Sequence, residues 1–160
     1  MAGPKLIEGA RALLFERLTD NTPGEPFSHK HKRILDQAAL RASVQRELLQ
    51  LLNTRCAVSL ELIGETERTV INYGVPDFSS LSPHSSHDQK LVAAILTQTI
   101  TAFEPRLRNV QVTVDGVADY RQALQVTVTA ELVSGIVSEP VNFAIMGKPK
   151  SGDWKPYEPE

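Results

Sequence analysis

Several kinds of residue are scarce in this chain, and each scarcity argues against a class of protein. The single cysteine, Cys56, leaves no possibility of an internal disulfide framework and fits a reducing compartment. Aromatic residues make up only 6% of the chain, which argues against a sugar-binding surface built from stacked aromatic rings. A net charge of −2, from 17 basic and 19 acidic residues, creates no field that attracts nucleic acid or an anionic membrane.

Long apolar runs are also missing. No run approaches the roughly 20 residues that a membrane-spanning helix needs. Met1–Gly9 carries one lysine and no apolar core, so we expect no secretory signal there. Hydrophobic residues still make up 41% of the 160 residues, enough for one domain with a real core. These features together predict a single cytoplasmic domain.

The N-terminal region, residues 1–33, predicts a short helix followed by a flexible linker. Within residues 10–18, Leu14, Phe15 and Leu18 recur at helical spacing, in a segment so short that we expect a helix only where it is docked. That helix either binds a partner or packs on its own domain, and the pattern favours neither. Prolines, a glycine and a basic run then predict a tether up to residue 33.

Two longer helices are predicted in the middle of the chain. One apolar stripe at helical spacing predicts a helix over Asp36–Asn53. Ser86 with Gln89 three residues later resembles a capping box, and the apolar pattern that follows predicts a helix to about Phe103. Residues 57–71 alternate only in part, and the pattern leaves strand and helix both open there.

A tight turn is predicted between these helices. Gly74 permits a positive φ, and Pro76 forces the residue before it into extended geometry. Asn72 and Tyr73 precede them, and we expect a turn in which Tyr73 packs on the core rather than a partner surface.

After the second helix, hydrophobic residues recur at every second position. Alternating residues over 110–114, 124–132 and 141–145, with turn residues between them, predict an antiparallel meander of three or more strands. Helices on one face of such a sheet give an α+β domain over residues 34–146. The prolines in the polar residues 147–160 predict a disordered tail.

A proline corner connects the second helix to the first strand. Pro105 lacks an N–H and disfavours helical geometry in the residue before it, so Glu104 and Arg106 are held on a rigid corner. The two charges either dock a partner or clamp the corner internally, and both roles are compatible. The planar fork of Arg106 suits two-point contact with a carboxylate, which lysine does not reproduce.

Four stretches of the chain carry a family resemblance. They are Leu14-Phe15-Glu16-Arg17-Leu18, Ser43-Val44 with Leu51-Leu52-Asn53-Thr54-Arg55, Val70-Ile71-Asn72-Tyr73-Gly74-Val75-Pro76-Asp77-Phe78, and Phe103-Glu104-Pro105-Arg106-Leu107. Together they resemble the TssE family of type VI secretion baseplate proteins, related to the sheath-initiating wedge protein of contractile-tailed phages. The resemblance covers roughly residues 13–130; each stretch alone is weak, and four in order are specific.

The resemblance implies a structural, non-enzymatic role without a cofactor. It implies that the corner at Glu104, Pro105 and Arg106 docks the protein into a baseplate wedge of TssF-, TssG- and TssK-type subunits. It also implies that the sheet templates the first ring of a contractile sheath of TssB- and TssC-type subunits. The implied location is the cytoplasm, in a baseplate docked on a membrane, with no nucleic-acid partner and no membrane insertion.

An older description of the family as lysozyme-like raises a peptidoglycan-lytic hydrolase as the alternative. Glycosidases need two facing carboxylates, one with a raised pKa. Five acids are available, but the sequence places none of them in an apolar setting beside an evident partner: Glu61, Glu65, Glu67, Asp77 and Glu104. No glycine elbow surrounds a serine nucleophile.

A metal site is not indicated either. His29 and His31 lie in the basic run, and His84 and His87 lie in a serine-rich loop. Neither pair has a cysteine nearby, and Asp88 is the only carboxylate at ligand spacing, so we interpret all four as solvated loop residues. Cys56 is interpreted as a small, half-buried residue.

Overall fold

Two helices pack on a four-stranded antiparallel sheet. The computed structural model describes residues 10–11, 34–118, 123–134, 137–149 and 151–157. Helix α1 spans Gln37–Leu52 and helix α2 spans Ser86–Phe103. The α+β fold predicted from the sequence is confirmed.

The sheet is a meander in which each strand pairs with the next along the chain. Its strands are β3 (Leu107–Ala118), β4 (Ala123–Ser134), β5 (Val137–Lys148) and β6 (Asp153–Pro156), in that spatial order. One face of β4 is buried at every second position from 124 to 132, while the intervening residues face solvent to varying degrees. This alternation places the helices on one face and leaves the other open.

Each helix begins at a side-chain cap. Asp36 caps α1 by accepting a hydrogen bond from the N–H of Ala39 at 2.8 Å. Ser85 caps α2 by accepting from the N–H of Asp88 at 3.3 Å, so the cap lies one residue before the predicted Ser86. Gln89 donates to the carbonyl of Pro83 at 2.7 Å and does not complete a capping box.

Of the N-terminal region, residues 1–33, the structure describes only residues 10 and 11, so the prediction can be compared with it only there. Ala10 and Arg11 form β1, which pairs antiparallel with β2 (Ile34–Leu35). The predicted helix over 10–18 is therefore wrong at its first two residues, where main-chain pairing with β2 takes precedence over helix propensity. Leu14, Phe15 and Leu18 lie outside the described residues.

The C-terminal prediction differs from the structure over most of its length. Strand β5 continues to Lys148, and β6 pairs with it from Ile145 to Lys148. Trp154, the only tryptophan in the chain, is 2% exposed and supplies the apolar anchor that the proline-rich composition concealed. Residues 57–71, left open by the sequence, form a series of turns that ends in a 3-10 turn at Val70–Asn72.

Two bulges interrupt the pairing of β3 with β4. Between the pairs Arg108–Glu131 and Gln111–Thr129, two residues of β3 oppose one residue of β4. Asn109 adopts a φ of 52° at this point, a left-handed conformation that asparagine tolerates. Asp115 is the extra residue of the second bulge, and its carboxylate accepts a hydrogen bond from the Thr127 hydroxyl at 2.6 Å.

Candidate functional site

The proline corner contains a two-point ion pair. The guanidinium of Arg106 donates from Nε to Glu104 Oε1 at 2.7 Å and from Nη2 to Oε2 at 2.6 Å. Its Nη1 donates to the hydroxyl of Ser43 on α1 at 3.0 Å. The main-chain N–H of Arg106 also donates to Glu104 Oε1, at 3.2 Å. One carboxylate therefore fixes both the side chain and the backbone beyond the proline.

The pair lies mostly inside the protein. The side chains of Arg106 and Glu104 are 15% and 7% exposed, respectively, and Pro105 between them is exposed. The contact with Ser43 ties the corner to α1, so the end of α2, the start of β3 and the middle of α1 are held together. This geometry suits an internal clamp, and the docking role of the three residues stays a prediction.

The predicted turn after residue 72 joins the end of α1. Gly74 has a φ of 114°, and a Cβ built there would lie 2.4 Å from the carbonyl oxygen of Thr54. Val75 donates to that carbonyl and accepts from the N–H of Cys56, both at 2.9 Å, which forms a short parallel bridge. Only glycine allows this close backbone approach.

Arg55 connects the turn to the C-terminal hairpin, a role that the sequence reasoning missed. Its Nη1 donates to the carbonyl of Pro76 at 3.0 Å and its Nη2 to the carbonyl of Pro149 at 2.8 Å. The guanidinium also lies over the ring of Phe78, 5.9 Å from its centre. Arg55 lies two residues after the predicted end of the first helix, but its carbonyl partners are 21 and 94 residues away in the sequence.

The side chain of Asn53, near Arg55 in the chain, forms the hydrogen bonds to β6 that a neighbouring strand would otherwise form. Its amide donates to the carbonyl of Trp154 at 3.0 Å and accepts from the N–H of Trp154 at 2.8 Å. Strand β6 is therefore held by β5 on one edge and by a side chain from the end of α1. This role was not predicted from the sequence, because Trp154 lies 101 residues away from Asn53.

Tyr73 packs at the end of α2, as the sequence predicts for a turn on the core. Its ring meets the ring of Phe103 edge to face, with centres 5.2 Å apart. The pKa of Tyr73 is raised above its ordinary value because the phenol is partly buried and, secondarily, because Glu47 and Glu104 lie nearby.

The two edges of the sheet differ in their free backbone groups. Strand β3 pairs only with β4 within the described residues, so its outer edge is open along its length. Val133 on β4 donates to the carbonyl of Arg106, which fixes the alternation of hydrogen bonds along this pair. By that alternation and the register, Val112 and Val114 turn their N–H and C=O groups outward.

The other edge is largely occupied. Strand β6 covers β5 from Ile145 to Lys148. In the part of β5 that β6 leaves uncovered, Pro140 has no N–H, and the carbonyl of Asn142 accepts a hydrogen bond from Arg41 at 2.9 Å. The β3 edge is thus the more accessible of the two for main-chain pairing.

Within the described residues, no group of three or more histidine, cysteine or acidic side chains is placed to hold a metal ion. His84 and His87 are exposed, while His29 and His31 lie outside those residues. No helix in the described segments has the length and hydropathy to cross a membrane.

Comparison with known proteins gives one family. The family model described as "Baseplate wedge protein gp25" matches residues 38–135, which include both helices, the corner and the first two long strands. Comparison with curated proteins found no match.

Proposed function

Because this chain belongs to the baseplate wedge protein gp25 family, the family of TssE-like baseplate proteins, we propose a specific assembly role for it. It is a structural subunit of a type VI secretion baseplate that docks to wedge subunits and starts assembly of the contractile sheath. It works in the cytoplasm, within a baseplate docked on the membrane.

The observation that carries this proposal is the open edge of β3. Its outward N–H and C=O groups accept an extended segment from another chain. A sheath subunit of the TssB or TssC type that adds a strand here continues a sheet whose buried face is already fixed by α2. A one-residue slip of the added strand would turn its apolar side chains to the open face, so the buried face restricts the registers that the first subunit can adopt.

Docking to the wedge is assigned to the corner and the N-terminal segment. Pro105 is the exposed residue of the corner, and the ion pair of Glu104 and Arg106 holds it in a fixed position. The proposed partners are wedge subunits of the TssF, TssG and TssK types. Leu14, Phe15 and Leu18 are proposed as a second contact.

A pull-down with wedge subunits tests the docking role. Arg106→Ala is expected to abolish wedge binding, since the corner loses the side chain that fixes its shape. Unchanged binding by a folded variant would reject the docking role. A variant that fails to fold would show that the corner acts as an internal clamp.

The proposed role is non-enzymatic, and the acids support this over a peptidoglycan-lytic hydrolase. A glycosidase acid needs a raised pKa. The pKa values of Glu61 and Asp77 are both lowered, chiefly by hydrogen bonds from backbone N–H groups. The carboxylate of Glu104 is bound on both oxygens by Arg106. Fragments released from peptidoglycan by the purified protein would overturn this choice.

A sheath-nucleation assay tests the edge. Val114→Pro removes an outward N–H from the edge strand, where proline is tolerated. We expect this variant to fold but not to shorten the lag before purified sheath subunits form tubes, followed by light scattering and electron microscopy. Val114→Thr keeps the N–H and serves as the matched control. Nucleation by Val114→Pro at the wild-type rate would rule out pairing at this edge.

A further inference from the structure

The loop between the two helices exposes apolar side chains at a turn. Val70 and Ile71 are 88% and 85% exposed, and Leu62 in the same loop is 56% exposed. These three are the exposed large hydrophobic residues of the described segments. Scattered exposed apolar residues are ordinary, but two adjacent β-branched side chains on one turn form a raised apolar ridge. Val70 and Ile71 form this ridge.

The ridge stands on a hydrogen-bonded turn. The side-chain amide of Asn72 donates to the carbonyl of Glu67 at 2.8 Å and closes the turn behind the ridge. The main-chain N–H of Asn72 donates to Thr69 at 2.9 Å. A second turn precedes it, in which Glu65 and Thr66 both donate to the carbonyl of Leu62. A surface already ordered in this way loses little conformational entropy when it binds.

The turn is also fastened to the body of the protein. Ile63 is buried in the core. Arg68 donates from Nη2 to the hydroxyl of Thr99 on α2 at 2.6 Å and lies over the ring of Phe103, 5.8 Å from its centre. The ridge therefore has a fixed position beside the C-terminal end of α2, on an element other than the open edge of β3.

The loop that carries the ridge is rich in acidic residues. Glu61, Glu65 and Glu67 are all exposed. Arg68 is the only lysine or arginine between positions 56 and 89, and its guanidinium contacts Thr99 and Phe103 on α2. The loop therefore combines exposed apolar side chains with exposed carboxylates.

We propose that this loop binds a basic amphipathic helix of another polypeptide, with the ridge against its apolar stripe and the loop carboxylates against the flanking lysine or arginine residues. Such a helix presents both required features on one surface, an apolar stripe and rows of cations beside it. The carboxylates speed encounter and exclude acidic helices, while the ridge supplies the buried contact. This goes beyond the sheath role of β3 and does not depend on it.

Fluorescence anisotropy with a labelled peptide tests this proposal on the full chain. The probe is a synthetic helix of leucine and lysine at helical spacing, about 18 residues long, and a second peptide has glutamate in place of lysine. The wild-type protein is expected to bind the lysine peptide and not the glutamate peptide. The double variant Val70→Ser with Ile71→Ser is expected to bind at least about tenfold more weakly, because it removes the apolar contact. Both residues are highly exposed, so the variant should keep its fold, checked by thermal unfolding.

A charge control separates a specific site from general attraction to an acidic protein. Neutralising three loop acids (Glu61→Gln, Glu65→Gln, Glu67→Gln) is expected to weaken binding and reduce its salt dependence. Neutralising three acids on the sheet (Glu131→Gln, Glu139→Gln, Asp153→Asn) changes the net charge equally and is expected to leave affinity within about twofold. The proposal is overturned if the wild type does not bind, if the ridge variant binds unchanged, or if the two charge variants weaken binding equally.

Discussion

Glu104 and Arg106 bind each other through two parallel hydrogen bonds across Pro105, in a place largely shielded from water. Such a pair contributes less to stability than its short distances suggest, because both charges lose hydration when they are buried. Loss of one partner is nevertheless costly, since the other charge stays behind without compensation. The corner therefore depends on the geometry of the guanidinium as much as on its charge.

The first prediction concerns that geometry. Arg106→Lys keeps the positive charge but loses the fork and the bond to Ser43, so we expect the free energy of unfolding to fall by about 1–3 kcal/mol. Urea denaturation measures the change. The matched control is Arg108→Lys on the exposed side of β3, expected to stay within about 0.5 kcal/mol. Equal stability of both variants would contradict the clamp.

The second prediction concerns the close approach at Gly74. Gly74→Ala forces a Cβ against the carbonyl of Thr54 at a positive φ, and we expect a loss of about 2 kcal/mol or more in thermal or urea unfolding. Gly64→Ala is the control, because nothing lies within 4 Å of the added methyl group. That variant should change stability by no more than about 1 kcal/mol. A well-tolerated Gly74→Ala would mean that the parallel bridge does not need this backbone conformation.

The third prediction concerns β6. Asn53→Ala removes both hydrogen bonds to the backbone of Trp154, at a cost of about 1–3 kcal/mol. Trp154 is the only tryptophan, so its fluorescence reports directly on β6, and we expect its emission to shift to the red as the strand loosens. Asn142→Ala, an exposed asparagine on β5, is the control and should leave the emission unchanged. A buried, unshifted tryptophan in Asn53→Ala would show that β5 alone holds β6.

The fourth prediction concerns pH. The pKa of Tyr73 is raised in the folded protein by burial and by the charges of Glu47 and Glu104. Folding therefore favours the protonated phenol, and this contribution is present below the unfolded pKa of about 10 and lost as the pH rises through the folded pKa. Tyr73→Phe should lose less stability than the wild type between about pH 9 and pH 11, followed by urea midpoints. Identical pH dependence of the two proteins would contradict this assignment.

The strands and helices were predictable because their signals are local. Alternating valines in β3 and β4 and the apolar stripe of α1 each lie within a dozen or so residues. The end of α2 was also predictable from the sequence, since Pro105 cannot continue a helix. The turn at Gly74 followed from backbone sterics alone.

The remaining features depend on distant partners that a pattern cannot show. Trp154 is buried because Gly147 leaves room for its ring, and nothing beside Trp154 in the sequence indicates that space. Arg55 and Asn53 act through backbone groups up to 101 residues away. Ser85 caps α2, whereas Ser86 was predicted. Two adjacent serines have the same preference for the N-cap position, so the local sequence does not distinguish them.

The unequal margins of the sheet limit how many neighbours the molecule can accept by strand addition. Within the described segments, the β5 edge is poorly suited to pairing because of β6, Pro140 and Arg41. Only the β3 edge can accept another strand, so the sheet has a valence of one. A unit with a valence of one can begin or end a polymer but cannot continue it. Copies of this protein would therefore not stack into an endless ribbon, and each copy would supply one starting point.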